Sequence, residues 1–447
     1  MSKHDSANTL RVDFPPDWKL TPLRAILKRK AEVVGGNSDK HTLLSLTTRG
    51  VIVRDLSESK GKFPANFDTY KKVSVGDFIF CLFDIEETPR TVGVSEVEGM
   101  ITGAYTIYEP KKGFDSLFIY RLLLYCDERK RLKYLYKGLR NTIPKSLFES
   151  LQMPIPEPQE QKSINKFINH FERIIFEAIN KNLKIVNLLV EKRRLLIDSY
   201  VISGGHERAD FRDTSINWLG SIPSDWRLIK MKHLFTEKTV KGFPNEQLLV
   251  ASQKHGVVTK QQYGLRTVVA EKDLENLKLV EVNDFVISLR SFQGGIETSH
   301  ARGIISPAYT VLHLVDHRYH EYFTYLLKST TFIEALKLSV TGIREGQNID
   351  YKRLGNEFLP LPPVDEAISI GSKLTESLKD INLAIKQVEG LIALLKECHE
   401  SLFEEVITGK RRVGDISDLV EDNSEGELTF AKRGLVTGIE IEDSENE

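Results

Sequence analysis

Two sets of polar side chains carry the chemistry this sequence offers. Gln253, Lys254, Lys260, Arg290, Gln293, Arg344, Gln347 and Asn348 form one set, and Thr48, Arg49, Arg54, Arg90, Arg140 and Asn141 the other, all in Gly-rich or turn-like contexts. Arg and Lys can grip two acceptors on the major-groove edge of guanine, Gln and Asn match adenine, and Ser and Thr serve base or phosphate. Any one of these residues, taken alone, reads more simply as a solvated loop side chain. The two sets together point to recognition of double-stranded DNA.

Catalysis finds no support. The chain has no GxxxxGK[ST] phosphate loop, no glycine-rich cofactor loop after a strand, no GxSxG elbow, and no Asn-Pro-Pro-aromatic tetrapeptide of the kind used on a flipped adenine. No catalytic residue, metal or cofactor is therefore expected on this chain. His255, His300, His313, His317 and His320 show no metal-ligand spacing, because Thr310–Leu314 reads as strand and keeps the last three off a common helical face. Trp18 and Trp226 could stack on bases, but each stands in an Asp-Trp-(Lys/Arg)-Leu entry and reads as the core anchor of a first strand.

The frame that positions these residues is written twice. FPPDWKL (14–20) matches IPSDWRL (222–228), and LLSLTTRGVI (43–52) matches LVASQKHGVV (249–258). VSVGDFIF (73–80) then matches VEVNDFVI (280–287), GMITGAYTIY (99–108) matches GIISPAYTVL (303–312), and MPIPEPQEQ (153–161) matches LPLPPVDEA (359–367). The matches keep their order at offsets of 204 to 208 residues, which identifies a duplication. Each copy mixes short strands (Val73–Phe80, Val282–Leu289, Tyr309–Leu314) with helical runs (Ser116–Cys126, His320–Leu327), as a compact α/β unit would. The loops diverge: LTTRGVIVRDLSESKGK stands where the second copy has ASQKHGVVTKQQYGLR.

After each Pro-rich exit the pattern changes to a long helix. Leu374, Leu378, Ile381, Ile385, Val388, Ile392, Leu395, His399, Leu402 and Val406 alternate at steps of four and three, an apolar coiled-coil stripe. In the first copy Ile164, Ile168, Phe171, Ile175, Ala178, Ile185, Leu189 and Leu196 follow the same rhythm, interrupted by Asn182 and Lys192. Both runs end on glycine, VISGG (201–205) and VITG (406–409), the residue suited to the left-handed conformation that stops helices. A helix of about 40 residues is ~60 Å long and cannot bury its stripe in one small unit. The expected architecture is two tandem α/β recognition domains joined by two long helices in an antiparallel coiled coil.

The domains expected are an N-terminal tail 1–13, a first recognition domain 14–156, a first helix 157–205, a linker 206–221, a second recognition domain 222–362, a second helix 363–410 and an acidic tail 411–447. That tail holds eleven Asp and Glu against four Arg and Lys, hence −7, and reads as disordered. The net charge of −1 therefore leaves +6 on the rest of the chain, compatible with phosphate contact. No stretch has the length and apolarity of a membrane span, the N-terminus lacks the apolar core of a signal peptide, and Cys81, Cys126 and Cys398 form no CxxC pair. A cytoplasmic protein is expected.

The duplicated plan, the Asp-Trp entry, the Ala-Tyr strand after Gly-x-Ile, the Pro-rich exit and the helix ending in aliphatic-x-Gly together resemble the specificity subunit of type I restriction–modification systems. The resemblance runs from about Phe14 to Gly409. The first exit carries it through Pro154, Pro156, Glu160, Gln161 and Ile164. The second keeps Pro360, Pro362, Glu366 and Ile370 but has Ala367 where the family usually has Gln. The resemblance implies a target-recognition domain at each end of a helical ruler and a bipartite, asymmetric DNA site. It also implies two methyltransferase subunits and two motor-nuclease subunits as partners, with S-adenosylmethionine, ATP and magnesium on those partners. Two other readings stay open: a coiled-coil adaptor between proteins, and the specificity part of a related Type II or other phage-defence methylation complex.

Overall fold

The computed structural model describes residues 8–54, 67–205, 210–264, 273–338, 340–341 and 348–414. The chain forms two compact units, and the division falls inside both long helices, Pro158–Ser203 and Val364–Ile407. The first unit takes the described residues up to Asn182 and those from Gly390 onward, and the second takes Leu183–Glu389.

The first unit is built on a four-stranded antiparallel sheet in the order Leu27–Lys30, Thr106–Pro110, Phe78–Phe80, Val92–Val94. A hairpin, Leu44–Thr47 with Gly50–Val53, and a strand pair, Lys71–Val73 with Gly99–Ile101, lie beside it. Leu44, Val51, Val73, Ile79, Ile101 and Ile107 close a core between them. The helix Ser116–Glu128 starts on Asp115, whose carboxylate accepts the Leu117 and Phe118 amides, two donors a helix start leaves open. Its Phe118 meets the buried Trp18 edge to face at 5.9 Å. The Pro-rich exit Gln152–Ile155 pairs antiparallel with the entry strand Lys19–Pro22, so Pro154 lies opposite Leu20.

The second unit repeats this strand for strand. Its sheet runs Phe235–Lys238, Thr310–Leu314, Phe285–Ile287, Glu297–Thr298, with the hairpin Leu249–Ser252/Gly256–Thr259 and the pair Lys278–Val280/Gly303–Ile305. Trp226 packs edge to face on Tyr322 of the helix His320–Leu326 at 6.1 Å, and the exit Phe358–Leu361 pairs with the entry Arg227–Lys230. Even single side-chain bonds recur. Ser95 Oγ donates to Val97 O at 2.7 Å and Ser299 Oγ to Ala301 O at 2.8 Å, while Lys71 and Lys278 each donate to the carbonyl of a Tyr, Tyr105 and Tyr309. Among the described residues, only the second unit adds the short helices Ser291–Gly294 and Thr330–Leu338 and the strand pair Val340–Thr341/Asn348–Ile349.

Three expectations need correction. The runs Val73–Phe80 and Val282–Leu289 are not single strands: Asp77 and Asp284 bend the chain by accepting the amides of Ser74 and Glu281, three residues back, at 2.8 and 2.9 Å. In the first long helix, Val186 is buried and Ile185 is 45% exposed, so the inward stripe passes one residue later than the heptad count placed it. The break at Asn182 is a stripe position whose amide donates to Ala178 O at 2.8 Å, one turn back. The helix stops are glycines as expected, Gly204 at φ +75° and Gly409 at φ +72°. Residues 411–414 belong to the first unit and not to a free tail, because Arg412 pairs with Glu160 at 2.6 Å and with Asp17. Residues 415–447 lie outside the described residues.

Within the first unit the two long helices run in opposite directions. Glu160, near the start of one, meets Arg412 beyond the end of the other, and twelve residues on Glu172 meets His399 at 3.6 Å. In the second unit Leu189, Leu196 and Ile197 pack into the cluster of Leu374, Leu378 and Ile381, and Arg193 donates to Asn382 at 3.3 Å. Arg121, 1% exposed, ties the sheet's covering helix to the first long helix through Asn165, Asn169 and Glu172 at 2.8–2.9 Å. A buried cation held on three partners of one helix fixes one register of helix on helix.

Candidate nucleic-acid interface

In the second unit the hairpin Leu249–Ser252/Gly256–Thr259 presents a turn of Gln253, Lys254 and His255. Ser252 Oγ accepts the Lys254 and His255 amides at 3.3 Å each, which holds the turn in one shape. Gln253 Nε2 donates to the Arg290 carbonyl at 3.1 Å, and the Gln253 side chain packs on Gly294 so closely that a Cβ there would come within 2.6 Å of it. The structure thus brings Gln253, Lys254, Arg290 and Gln293 together, the last three exposed. Lys260 is apart, at the other end of the hairpin in the helix Lys260–Tyr263, where Thr259 and Gln262 form a capping box. Arg344 and Gln347 lie outside the described residues. Asn348 opens the strand Asn348–Ile349, and its side chain is likewise outside the description.

In the first unit Thr48 and Arg49 form the exposed turn between Leu44–Thr47 and Gly50–Val53, closed by Thr47 Oγ1 donating to Gly50 O at 3.0 Å and accepting the Arg49 amide at 3.2 Å. Arg54 is exposed at the far end of that hairpin, its amide on Leu43 O. Arg140 and Asn141 sit in a tight turn bridged by Lys137 and Thr142. Arg140 forms a two-pronged pair with Asp84, through Nε at 2.9 Å and Nη2, and lies over the Phe83 ring. That guanidinium holds the Asp84 carboxyl below its usual range. Asn141 takes φ +42°, a conformation Asn tolerates.

Arg90 is the exception. It is 7% exposed, its Nη2 bonds Glu128 at 3.2 Å, and it lies inside the unit where no duplex could reach it. A cation on a loop looks accessible in sequence, but this one turns inward onto Glu128, a partly exposed carboxyl whose pKa desolvation pushes up. His313 is on a strand, His317 in a short 3-10 turn and His320 at a helix start; the His313 and His317 rings meet edge to face at 5.0 Å, and His313 Nδ1 lies 2.9 Å from Asp284. Among the described residues no three His, Cys, Asp or Glu side chains are grouped to hold a metal ion, and no helix is long and apolar enough to cross a membrane.

Two lysines that the sequence did not single out hold the loops from beneath. Lys328 bonds the carbonyl of Gln253 in the second unit, and Lys130 bonds that of Thr88 in the first. Neither lies in a motif, so only the fold could find them.

No protein-family model matches the chain. It is 21% identical over 436 residues to the Methanocaldococcus jannaschii protein named as the MjaX type I restriction enzyme specificity subunit, covering 90% of this chain and 95% of that one. It is 23% identical over 338 residues to the MjaVIII type I restriction enzyme specificity subunit of the same organism, covering 72% of this chain and 76% of that one. Among solved structures, a chain from a study of complex assembly and conformational transition in a type I restriction–modification system shares the fold, with a TM-score of 0.58 at 13% identity. That match covers 90% of this chain and all of the other.

Proposed function

We propose that this chain, whose curated homologues are type I restriction enzyme specificity subunits, is the sequence-specific DNA-binding subunit of a type I restriction–modification complex. One observation carries the reading: the frame is repeated down to single hydrogen bonds while the exposed loops on it are not. Two readers on one chassis with different loops would recognise different half-sites, so the proposed DNA site is bipartite and asymmetric. The readers are the regions 14–156 and 222–362, and the helices 157–205 and 363–410 form an antiparallel coiled coil that spaces them. Thr48, Arg49, Arg140 and Asn141 are the proposed contacts of the first reader, and Gln253, Lys254, Arg290 and Gln293 those of the second. Arg54, Lys260, Arg344, Gln347 and Asn348 stay as candidates further out.

On this reading the chain is non-catalytic and works in the cytoplasm. It would scaffold two methyltransferase subunits and two motor-nuclease subunits, which bind S-adenosylmethionine, ATP and magnesium themselves. Methylation sequencing of the host with and without this gene tests the proposal. Adenine methylation at one bipartite motif is expected to disappear with the gene, and unchanged methylation in a strain expressing the partners would overturn it.

A further inference from the structure

We propose that Lys328 and Lys130 are positioning residues, each locking the reading loops of its own unit from below and so setting the base preference of one half-site. The proposal rests on the DNA-reading function inferred above. Lys328 follows the helix His320–Leu326, and its ammonium spends its donors on Gln253 O at 2.7 Å and on both oxygens of Glu297 at 2.8 Å. The Glu297 side chain is 2% exposed on the last strand of the sheet. One cation therefore joins helix end, sheet edge and reading turn, and Gln253 passes the restraint to the Arg290 loop through its own amide. The same loop is pinned again where the Ile296 amide donates to Leu327 O at 3.0 Å.

The first unit reaches the same result with different residues. Lys130, just past the helix Ser116–Glu128, donates to Thr88 O at 2.9 Å and pairs with Asp127 at 3.2 Å, whose side chain is 2% exposed. Asp127 in turn takes the Thr91 amide and hydroxyl at 2.7 and 2.6 Å. The loop so held, between Phe80 and Val92, is the counterpart of the one that carries Arg290 and Gln293. Through Asp84 it holds Arg140 of the first reader, Arg140 Nε donating to Asp84 at 2.9 Å and the Asp84 amide to Arg140 O at 2.8 Å. The buried acid sits on the sheet in one unit and on the helix in the other, so the device is not a residue copied by the duplication. Both units nonetheless place a lysine at the helix end, on a buried carboxylate, with one donor left for a loop carbonyl. Base reading needs side chains held to within about 0.5 Å, and a loop tied to a buried ion pair meets that need.

The test compares the motifs methylated in cells that express the full chain with its methyltransferase partner. Lys328→Met with Glu297→Gln, and Lys130→Met with Asp127→Asn, remove each pair without leaving a buried charge alone. The first double variant is expected to lose discrimination on the order of tenfold at bases of one half-site, with the other half-site and the gap unchanged. The second should relax the opposite half-site. Lys328→Arg keeps the charge on Glu297 but alters the reach to Gln253, so it tests the same half-site in a chain that still pairs its acid. If the variants methylate the wild-type motif with unaltered base preference, at whatever level, the lysines are structural and the proposal is overturned. A wild-type chain that directs no bipartite methylation would instead overturn the DNA-reading function itself.

Discussion

Asp284 does in the second unit what Asp77 does in the first. Each is buried at the start of an inner strand of the sheet, each accepts an amide three residues back, and each takes a lysine from the edge strand two strands away, Lys30 to Asp77 at 2.5 Å and Lys238 to Asp284 at 3.0 Å. Asp284 also bonds His313 Nδ1 at 2.9 Å. Replacing either acid by Ala strands the turn amide and the lysine together and should cost about 2–3 kcal/mol. Chemical denaturation of Asp77→Ala and Asp284→Ala would read this. A loss below about 0.5 kcal/mol in both would show that the turn holds its shape without the carboxylate.

This pair shows where sequence reading succeeded and where it stopped. The Asp-Phe-aliphatic step was legible as a repeat because it recurs at the same offset, but its role as a strand breaker was not. VSVGDF and VEVNDF alternate like a strand, and only the carboxylate folding back on Ser74 or Glu281 turns the chain. Trp18 and Trp226 were legible as anchors because a large ring at a repeated entry has one economical place to go. Ile185 and Val186 were not separable, because adjacent aliphatics fit a stripe equally well and an ideal helix drifts by ~20° per heptad. Arg90 was misread since loop composition says nothing about which way a side chain turns.

Arg140 is held by Asp84 in an exposed pair that contributes little to the fold. Arg140→Ala should leave thermal unfolding of the chain unchanged while weakening DNA binding. If Arg140 neutralises one phosphate, the slope of log affinity against log salt should shrink by about one. A slope and affinity equal to wild type would remove Arg140 from the interface.

His320 gives the second unit a predictable acid sensitivity. Its Nε2 is buried without a hydrogen-bond partner among the described residues, and its ring lies 5.3 Å from that of Phe285. Burial, followed by the nearby His317 and His300, holds its pKa below the ordinary 6.5. The unfolded chain then takes up the proton first as pH falls through 6.5. Stability is full above that value, declines below it, and stops declining once the folded protein is protonated too. His320→Gln should flatten the loss of stability between pH 7.5 and 5.5, measured as the urea midpoint. An equal pH dependence in variant and wild type would assign the effect to other groups.

Gly409 is needed by more than its backbone angle. A Cβ there would come within 2.6 Å of the Trp18 ring and 2.7 Å of Pro15, at a φ of +72°. Gly409→Ala should therefore cost about 2 kcal/mol or more. Gly414→Ala, with nothing within 4 Å of its Cβ, should cost nothing measurable. Comparing the two by thermal unfolding separates docking of the helix end on the Asp-Trp entry from a general loss of glycine. Equal effects would contradict the packing described.

The ruler proposal predicts a change in gap without a change in bases. Seven residues inserted after Asn182 and seven before Gly390 would lengthen both helices by two turns where the two units divide. Seven residues rotate an ideal helix by ~700°, leaving the buried stripe within ~20° of register, and add ~10.5 Å. At ~3.4 Å per base pair the unread gap should grow by about three. Two residues inserted at the same points rotate each stripe by ~200° and expose Leu378, Ile381 and Val186, buried in the parent chain. That control should fail to assemble. Methylation sequencing should find the parent half-sites about three base pairs further apart for the seven-residue variant. The old gap with altered bases, from a variant that still folds, would mean that the helices join the readers without measuring the distance between them.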